Sequence, residues 1–309
     1  VFLADTVAEE VGKQGPSETK RLALFGVWVL LAAALLWKPV EGLVRYSLSN
    51  DNASHILLIP LISAWLLYFE GRRIFRQISS DAISGVVLLV AGVGVALWTW
   101  RWGAAWTGTE TLSGYTLALV LLWAAGFALI FGRQALRKGS FPLLFLLLMI
   151  PPPDLWLNTA VYLLQKGSAD IAEYIFDLAG VPALRDGFVF HLAHLSIEVA
   201  KECSGIRSSL ALLILALLVG HLFLRTFWKQ VVFVIVGLVI MIVKNGIRIA
   251  TLTILAQYVD SGFLYGRLHH EGGVVFFLIG LVLLLPVFWL LQRGESPRTA
   301  VAVKDAATG

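Results

Sequence analysis

Hydrophobic residues run along the chain in long blocks separated by short polar or charged intervals, and block length sets the first prediction. Crossing about 30 Å of hydrocarbon takes roughly 20 helical residues. Runs of this kind fall at about 21–38, 54–70, 82–100, 112–131, 139–153, 204–224, 230–252 and 272–292. The chain therefore reads as an all-α polytopic membrane protein with about eight transmembrane helices. The fifth run is short and ends at Pro151-Pro152-Pro153, which cannot continue a helix and marks its exit from the membrane. Eight crossings return both chain ends to the same side.

The interval 154–203 has a different pattern. From Leu155 to Ala179 apolar residues keep helical spacing, with Lys166, Asp170, Glu173 and Asp177 between them, which predicts an extracytoplasmic amphipathic helix at the interface. Gly180-Val181-Pro182 ends it. Beyond, Gly187-Phe188-Val189-Phe190-His191 and Leu195-Ser196-Ile197-Glu198-Val199 alternate, and a short β-hairpin is expected as a lid over the next helix. No internal repeat is visible, which argues against an inverted-repeat transporter.

Composition agrees with the block pattern. Of 309 residues 58% are hydrophobic and only 14% charged, with 11 Trp and 18 Phe, which excludes an ordinary soluble fold. The formal charge of +4 would suit nucleic acid or anionic lipid. However, the basic residues sit beside hydrophobic runs, as Arg72-Arg73-Arg76, Arg133-Arg137-Lys138 and Arg225-Lys229 do. Membrane topology accounts for them, and no nucleic-acid partner is expected. The positive-inside rule puts both termini in the cytoplasm and the protein in the inner (cytoplasmic) membrane. Residues 1–20 lack the basic start and cleavage pattern of a signal peptide and read as a cytoplasmic lead. Residues 21–292 form one membrane-embedded domain, and 293–309 a polar cytoplasmic tail.

Three outer helix mouths carry chemistry. The only cysteine, Cys203, opens the sixth span in Glu202-Cys203-Ser204-Gly205-Ile206-Arg207. The seventh span contains Lys244-Asn245-Gly246-Ile247-Arg248 beyond an apolar stretch, Val231 to Val243, too short to cross alone. Ionisable groups there are costly, so Arg248 must face the bundle or a wet cavity, and Lys244, Asn245 and Arg248 share a helix face by spacing. The eighth span is entered through His269-His270-Glu271. Adjacent residues diverge on a helix, so these three are a poor metal site; neither metal nor cofactor is expected.

Two readings of Cys203 stand side by side: a small packing residue, or a nucleophile for acyl transfer. Free thiols ionise near a pKa of about 8.5, and a helix N-terminus and a nearby cation both favour the thiolate. Arg207, four residues on, supplies the cation. A histidine within reach would take and return the proton, and Arg248 with the amides of Ser204 to Ile206 would meet an oxyanion. Arg248 is equally compatible with a structural ion pair or a headgroup anchor. His55 begins the second span on the same side, while His221 lies towards the opposite end of the sixth.

Val199-Ala200-Lys201-Glu202-Cys203-Ser204-Gly205-Ile206-Arg207 resembles the Cys-Ser-Gly core of the exosortase/archaeosortase family, and Asn245-Gly246-Ile247-Arg248 resembles its Asn-x-x-Arg motif. Ser54-His55-Ile56-Leu57-Leu58-Ile59-Pro60, the segment from Phe141-Pro142 to Pro151-Pro152-Pro153-Asp154, and His269-His270-Glu271-Gly272-Gly273 match further family segments in order, over about residues 37 to 292. The resemblance implies a membrane cysteine protease or transpeptidase. Its substrates would be secreted proteins ending in a tripartite signal: a short motif such as Pro-Glu-Pro, a membrane helix and a basic tail. It further implies Cys203 as nucleophile, Arg248 as oxyanion or thiolate partner, and His269, with His270 as second choice, as acid and base. Arg207, Asn245, Ser204, Gly205, Glu202 and His55 would support them, and membrane lipids would be the remaining partners. The competing reading is a non-catalytic transporter or carrier of an anionic lipid-linked substrate; a third is an acyltransferase with a histidine base and no thioester.

Overall fold

The computed structural model describes residues 16–75, 82–201, 205–264 and 273–293. Glu202, Cys203, Ser204, His269, His270, most of the predicted N-terminal lead and nearly all of the tail lie outside the described residues. Six described helices are long and apolar enough to cross a membrane, or up to eight spans if two bent helix pairs each count as one. The chain is therefore a multi-pass, mostly helical membrane protein. It divides into two compact units, Val1–Asp154 and Leu155–Gly309.

In the first unit α1 (Pro16–Leu35) starts on a proline, which the first helical turn accepts because its missing N–H is not needed there. At Leu36 the chain bends by 86° into α2 (Trp37–Ser49), of which only the first two residues fall in a predicted span. Lys38, Glu41 and Arg45 make α2 amphipathic, with a Glu41–Arg45 ion pair of 2.7 Å on its exposed side. A 3-10 turn, Asp51–Leu57, leads into α3 (Leu58–Phe69) and the single turn α4 (Gly71–Ile74). The central pair is α5 (Ala82–Trp102) and α6 (Gly108–Lys138), the latter started by a capping box between Thr107 and Glu110. Two indoles tie α1 to α6: Trp28 Nε1 donates to Leu122 O at 2.8 Å and Trp123 Nε1 to Val29 O at 3.2 Å. Phe25, Phe75, Phe127 and Phe131 stack edge-on or tilted below them.

The fifth predicted span is realised as α7 (Ser140–Phe145), six residues long, followed by the four-residue 3-10 turn Leu146–Met149. That is half of what a crossing needs. It counts as a crossing only if it and the helix that follows are taken as one broken span. Within the first unit Ser63 Oγ donates to Pro142 O at 2.6 Å and Ser113 Oγ to Pro151 O at 2.5 Å.

The second unit opens with α8 (Asp154–Leu178), within one residue of the amphipathic helix read from the sequence. Its buried stripe is Val161, Gln165, Ser168, Ala169, Ala172 and Phe176, while Lys166, Asp170 and Asp177 are exposed. Instead of a two-stranded hairpin there are three antiparallel strands in the order β1 (Leu184–Asp186), β2 (Val189–His191), β3 (Ser196–Glu198). Phe190 stands opposite Arg185 on one side and Ile197 on the other. Arg185 clamps the sheet to α8, bonding Asp170 at 2.8 Å and Glu173 at 2.7 Å. Burial opposes the Arg185 charge, but the two carboxylates outweigh it and raise the guanidinium above its ordinary value.

Three long helices follow, α9 (Ile206–Phe223), α10 (Phe227–Tyr258) and α11 (Gly273–Gln292), with a 3-10 turn, Ser261–Leu264, after α10. At 1.5 Å per residue the 32 residues of α10 reach about 48 Å, well beyond one hydrocarbon thickness. Its two halves serve two cores. Phe233, Ile240 and Met241 pack with Leu212, Ala216 and Leu284 of α9 and α11. Ile249 and Ala250 pack instead with Ala169, Ala172 and Phe176 of α8 and with Phe190 and Val199 of the strand region. Lys244, Asn245 and Arg248 stand where one core gives way to the other.

Candidate functional site

The chain is held on both sides of the segment that contains Cys203. Upstream, Val199 N donates to Phe188 O at 2.9 Å, and Val199 O accepts from the buried Gln165 Nε2 of α8 at 2.8 Å. Downstream, Gly205 caps α9 in the left-handed conformation, φ 70° and ψ 19°. Only glycine adopts this region without penalty. The Gly205 carbonyl accepts from Ser209 N at 2.9 Å and Ser208 Oγ at 3.0 Å. A Cβ on Gly205 would lie 2.7 Å from Asn245 Oδ1.

That contact joins the two polar strings noted in the sequence. Lys244 and Asn245 are 1% and 2% exposed. Adjacent helical residues diverge by about 100°, so the two turn to different neighbours rather than sharing one face. Asn245 Nδ2 donates to Ser168 Oγ of α8 at 3.0 Å, while Lys244 Nζ donates to Ser208 Oγ of α9 at 2.5 Å. Burying an ammonium in a membrane helix costs roughly 2.5–3.5 kcal/mol. The Ser208 bond offsets part of that.

Asn245 reaches Ser168 because α8 and α10 nearly touch. A Cβ on Gly246 would meet Ile171 Cβ at 2.5 Å and Ser168 O at 3.0 Å. Gly246 and the buried Ala250 form a small-xxx-small strip, the feature that lets helix backbones approach in a membrane. Arg248, one turn beyond Lys244, is half-buried, and Arg207 on α9 is exposed.

Of the sequence-predicted residues, Gly205 and Asn245 are thus brought together, with Lys244 linked to them through Ser208. Cys203, Glu202, Ser204, His269 and His270 lie outside the described residues. His55 belongs to the first unit, half-buried in the 3-10 turn, with hydrogen bonds to the backbone of Asn52 and Leu148. His191 Nδ1 pairs with Ser196 Oγ at 2.9 Å across the sheet. His221 sits in the last turn of α9, about 22 Å along the helix from Ile206. Among the described residues no three His, Cys, Asp or Glu side chains are grouped to hold a metal.

Gln165, Ser168 and Ser208 were not singled out from the sequence. For the first two a signal exists: they interrupt the apolar stripe of α8 at positions matching Val161, Ala172 and Phe176. Polar groups on a buried stripe require buried partners.

The geometry provides a rigid left-handed turn at a helix N-terminus, with cations on the helix it starts and on the helix behind it. Such an arrangement favours negative charge. Among models of protein families, that of the transmembrane exosortases (EpsH) matches residues 45–286. No curated protein and no solved structure matches the chain.

Proposed function

The chain belongs to the transmembrane exosortase family, whose members process C-terminal sorting signals, and from that premise we propose that it is a membrane cysteine transpeptidase working through an acyl-enzyme on Cys203. The substrates are secreted proteins that end in a short motif of the Pro-Glu-Pro kind, a membrane helix and a basic tail. Both termini lie in the cytoplasm and the reaction takes place at the outer face, in keeping with the basic clusters beside the other helix ends.

The Cys203 thiolate, favoured by the start of α9 and by Arg207, attacks the scissile carbonyl carbon. Arg248 and first-turn amides stabilise the oxyanion. His269, with His270 as the second candidate, protonates the leaving amine as the C–N bond breaks. The same imidazole then deprotonates the acceptor nucleophile, which attacks the thioester and releases Cys203.

One observation carries this reading. Gly205 of the Cys-Ser-Gly string lies against Asn245 of the Asn-x-x-Arg string, two motifs far apart in sequence. A bundle that only needed a packing cysteine has no use for that junction. The test is co-expression with a secreted reporter carrying the tripartite tail. The reporter is expected to lose the tail, with its new C-terminus identified by mass spectrometry. Quantitative retention of the tail beside membrane-inserted protein would contradict the proposal.

A further inference from the structure

Lys244 is almost wholly buried, yet among the described residues no Asp or Glu pairs with it. Its stem passes Gly280 of α11, where a Cβ would stand 3.3 Å from Lys244 Cδ and 3.5 Å from Leu212 Cδ2. Three helices therefore combine to place its ammonium on Ser208 Oγ, at 2.5 Å. A methionine would fill the same channel without a buried charge, so packing alone does not account for a lysine here.

The hydrogen-bond directions give the reason. An ammonium only donates, so Ser208 must accept from Lys244 through an oxygen lone pair. The single Ser208 proton is then committed to the Gly205 carbonyl, 3.0 Å away. That carbonyl belongs to the left-handed residue that caps α9, two positions after Cys203.

We propose that Lys244 and Ser208 form a relay that fixes the Gly205 turn, and with it the presentation of the nucleophile segment, so that both are positioning residues for acyl transfer. The inference rests on the reading of Cys203 as nucleophile. Neither side chain need touch the substrate.

The experiment uses the full chain in membranes, with the tailed reporter as substrate and iodoacetamide as a probe of the chain's single thiol. Ser208→Ala and Lys244→Met are each expected to lower kcat about 10- to 100-fold with KM within about twofold, and to change the alkylation rate of Cys203 several-fold. Because the two act in series, the double variant should be no worse than the weaker single variant. Ser208→Thr, which keeps the hydroxyl, should stay within about threefold of the parent. Unchanged kcat and alkylation in Lys244→Met, losses that multiply in the double variant, or a loss confined to KM would overturn the relay. Lys244→Met removes a buried charge at similar volume, so its kcat decides even if Ser208→Ala inserts poorly. Processing by Cys203→Ala at the parental rate would instead remove the cysteine reading itself, and the two failures are distinguishable.

Discussion

Exchanging Cys203 for serine is expected to lower reporter processing by about 10³-fold or more, at unchanged membrane insertion. Serine preserves size and shape but not chemistry. A thiol with an ordinary pKa of about 8.5 is within reach of ionisation beside a helix N-terminus and a cation, whereas an alcohol is not. Since the chain has one cysteine, no second thiol can take over. Folding should tolerate the change because the flanks are held by other groups: Val199 by Gln165 and Phe188, and Gly205 by Ser208 and Ser209. Quantitative processing by this variant, measured by gel shift of the reporter, would remove the thiol from the mechanism.

Gly205→Ala should be the next most damaging change, and its cost has two separable parts. Holding alanine at φ 70° costs about 1–2 kcal/mol. The added methyl would also sit 2.7 Å from Asn245 Oδ1. Asn245 cannot simply retreat, because its Nδ2 is bonded to Ser168 and its backbone is pressed on α8 through Gly246. Relieving such overlap in a packed interior costs about a further 1–3 kcal/mol. Gly187→Ala is the control, for Gly187 has φ 60° but nothing within 4 Å of a Cβ. It should lose only the backbone part, about 1–2 kcal/mol, and keep parental processing. Gly205→Ala should lose about 2–5 kcal/mol in thermal or denaturant unfolding in detergent, with processing reduced at least 100-fold. Equal effects of the two substitutions would mean that the Asn245 contact does not matter.

Much of the architecture was legible because hydrocarbon thickness is a strong constraint on helix length. Runs at 82–100 and 204–224 correspond to Ala82–Trp102 and Ile206–Phe223, and α8 emerged from 3.6-residue spacing to within a residue. What stayed hidden depends on tertiary partners. α2 falls where Lys38, Glu41 and Arg45 end the apolar run, so a search for uninterrupted apolar runs passes over it. α7 is apolar like a span but too short to cross alone, and it counts towards eight crossings only as part of a broken span. The bonds that hold its region, from Ser63 and Ser113, are tertiary and leave no local pattern. The strand β1 has only three residues, and its own Arg185 is held by Asp170 and Glu173 of α8, a pairing that no local pattern reveals.

The site divides in the same way. The short apolar stretch before Lys244 required Arg248 to face the bundle or a wet cavity. In the structure Arg248 is half-buried, and Lys244 and Asn245 are the sheltered pair, turned to different neighbours. Their partners Ser208 and Ser168 could not be chosen from the sequence, since a serine looks alike whether it faces solvent, lipid or a buried amide. Nor does sequence indicate that Gly205 is left-handed; that follows only from the backbone and from Asn245 behind it.

The most direct measurement is a time-resolved acid quench of the protein mixed with the tailed reporter, followed by intact-mass and peptide mass spectrometry. The account predicts a transient adduct on Cys203 with the mass of the reporter's N-terminal part, released by hydroxylamine as a thioester. Processing that runs to completion with Cys203 unmodified at every time point, and open to alkylation throughout, would contradict it.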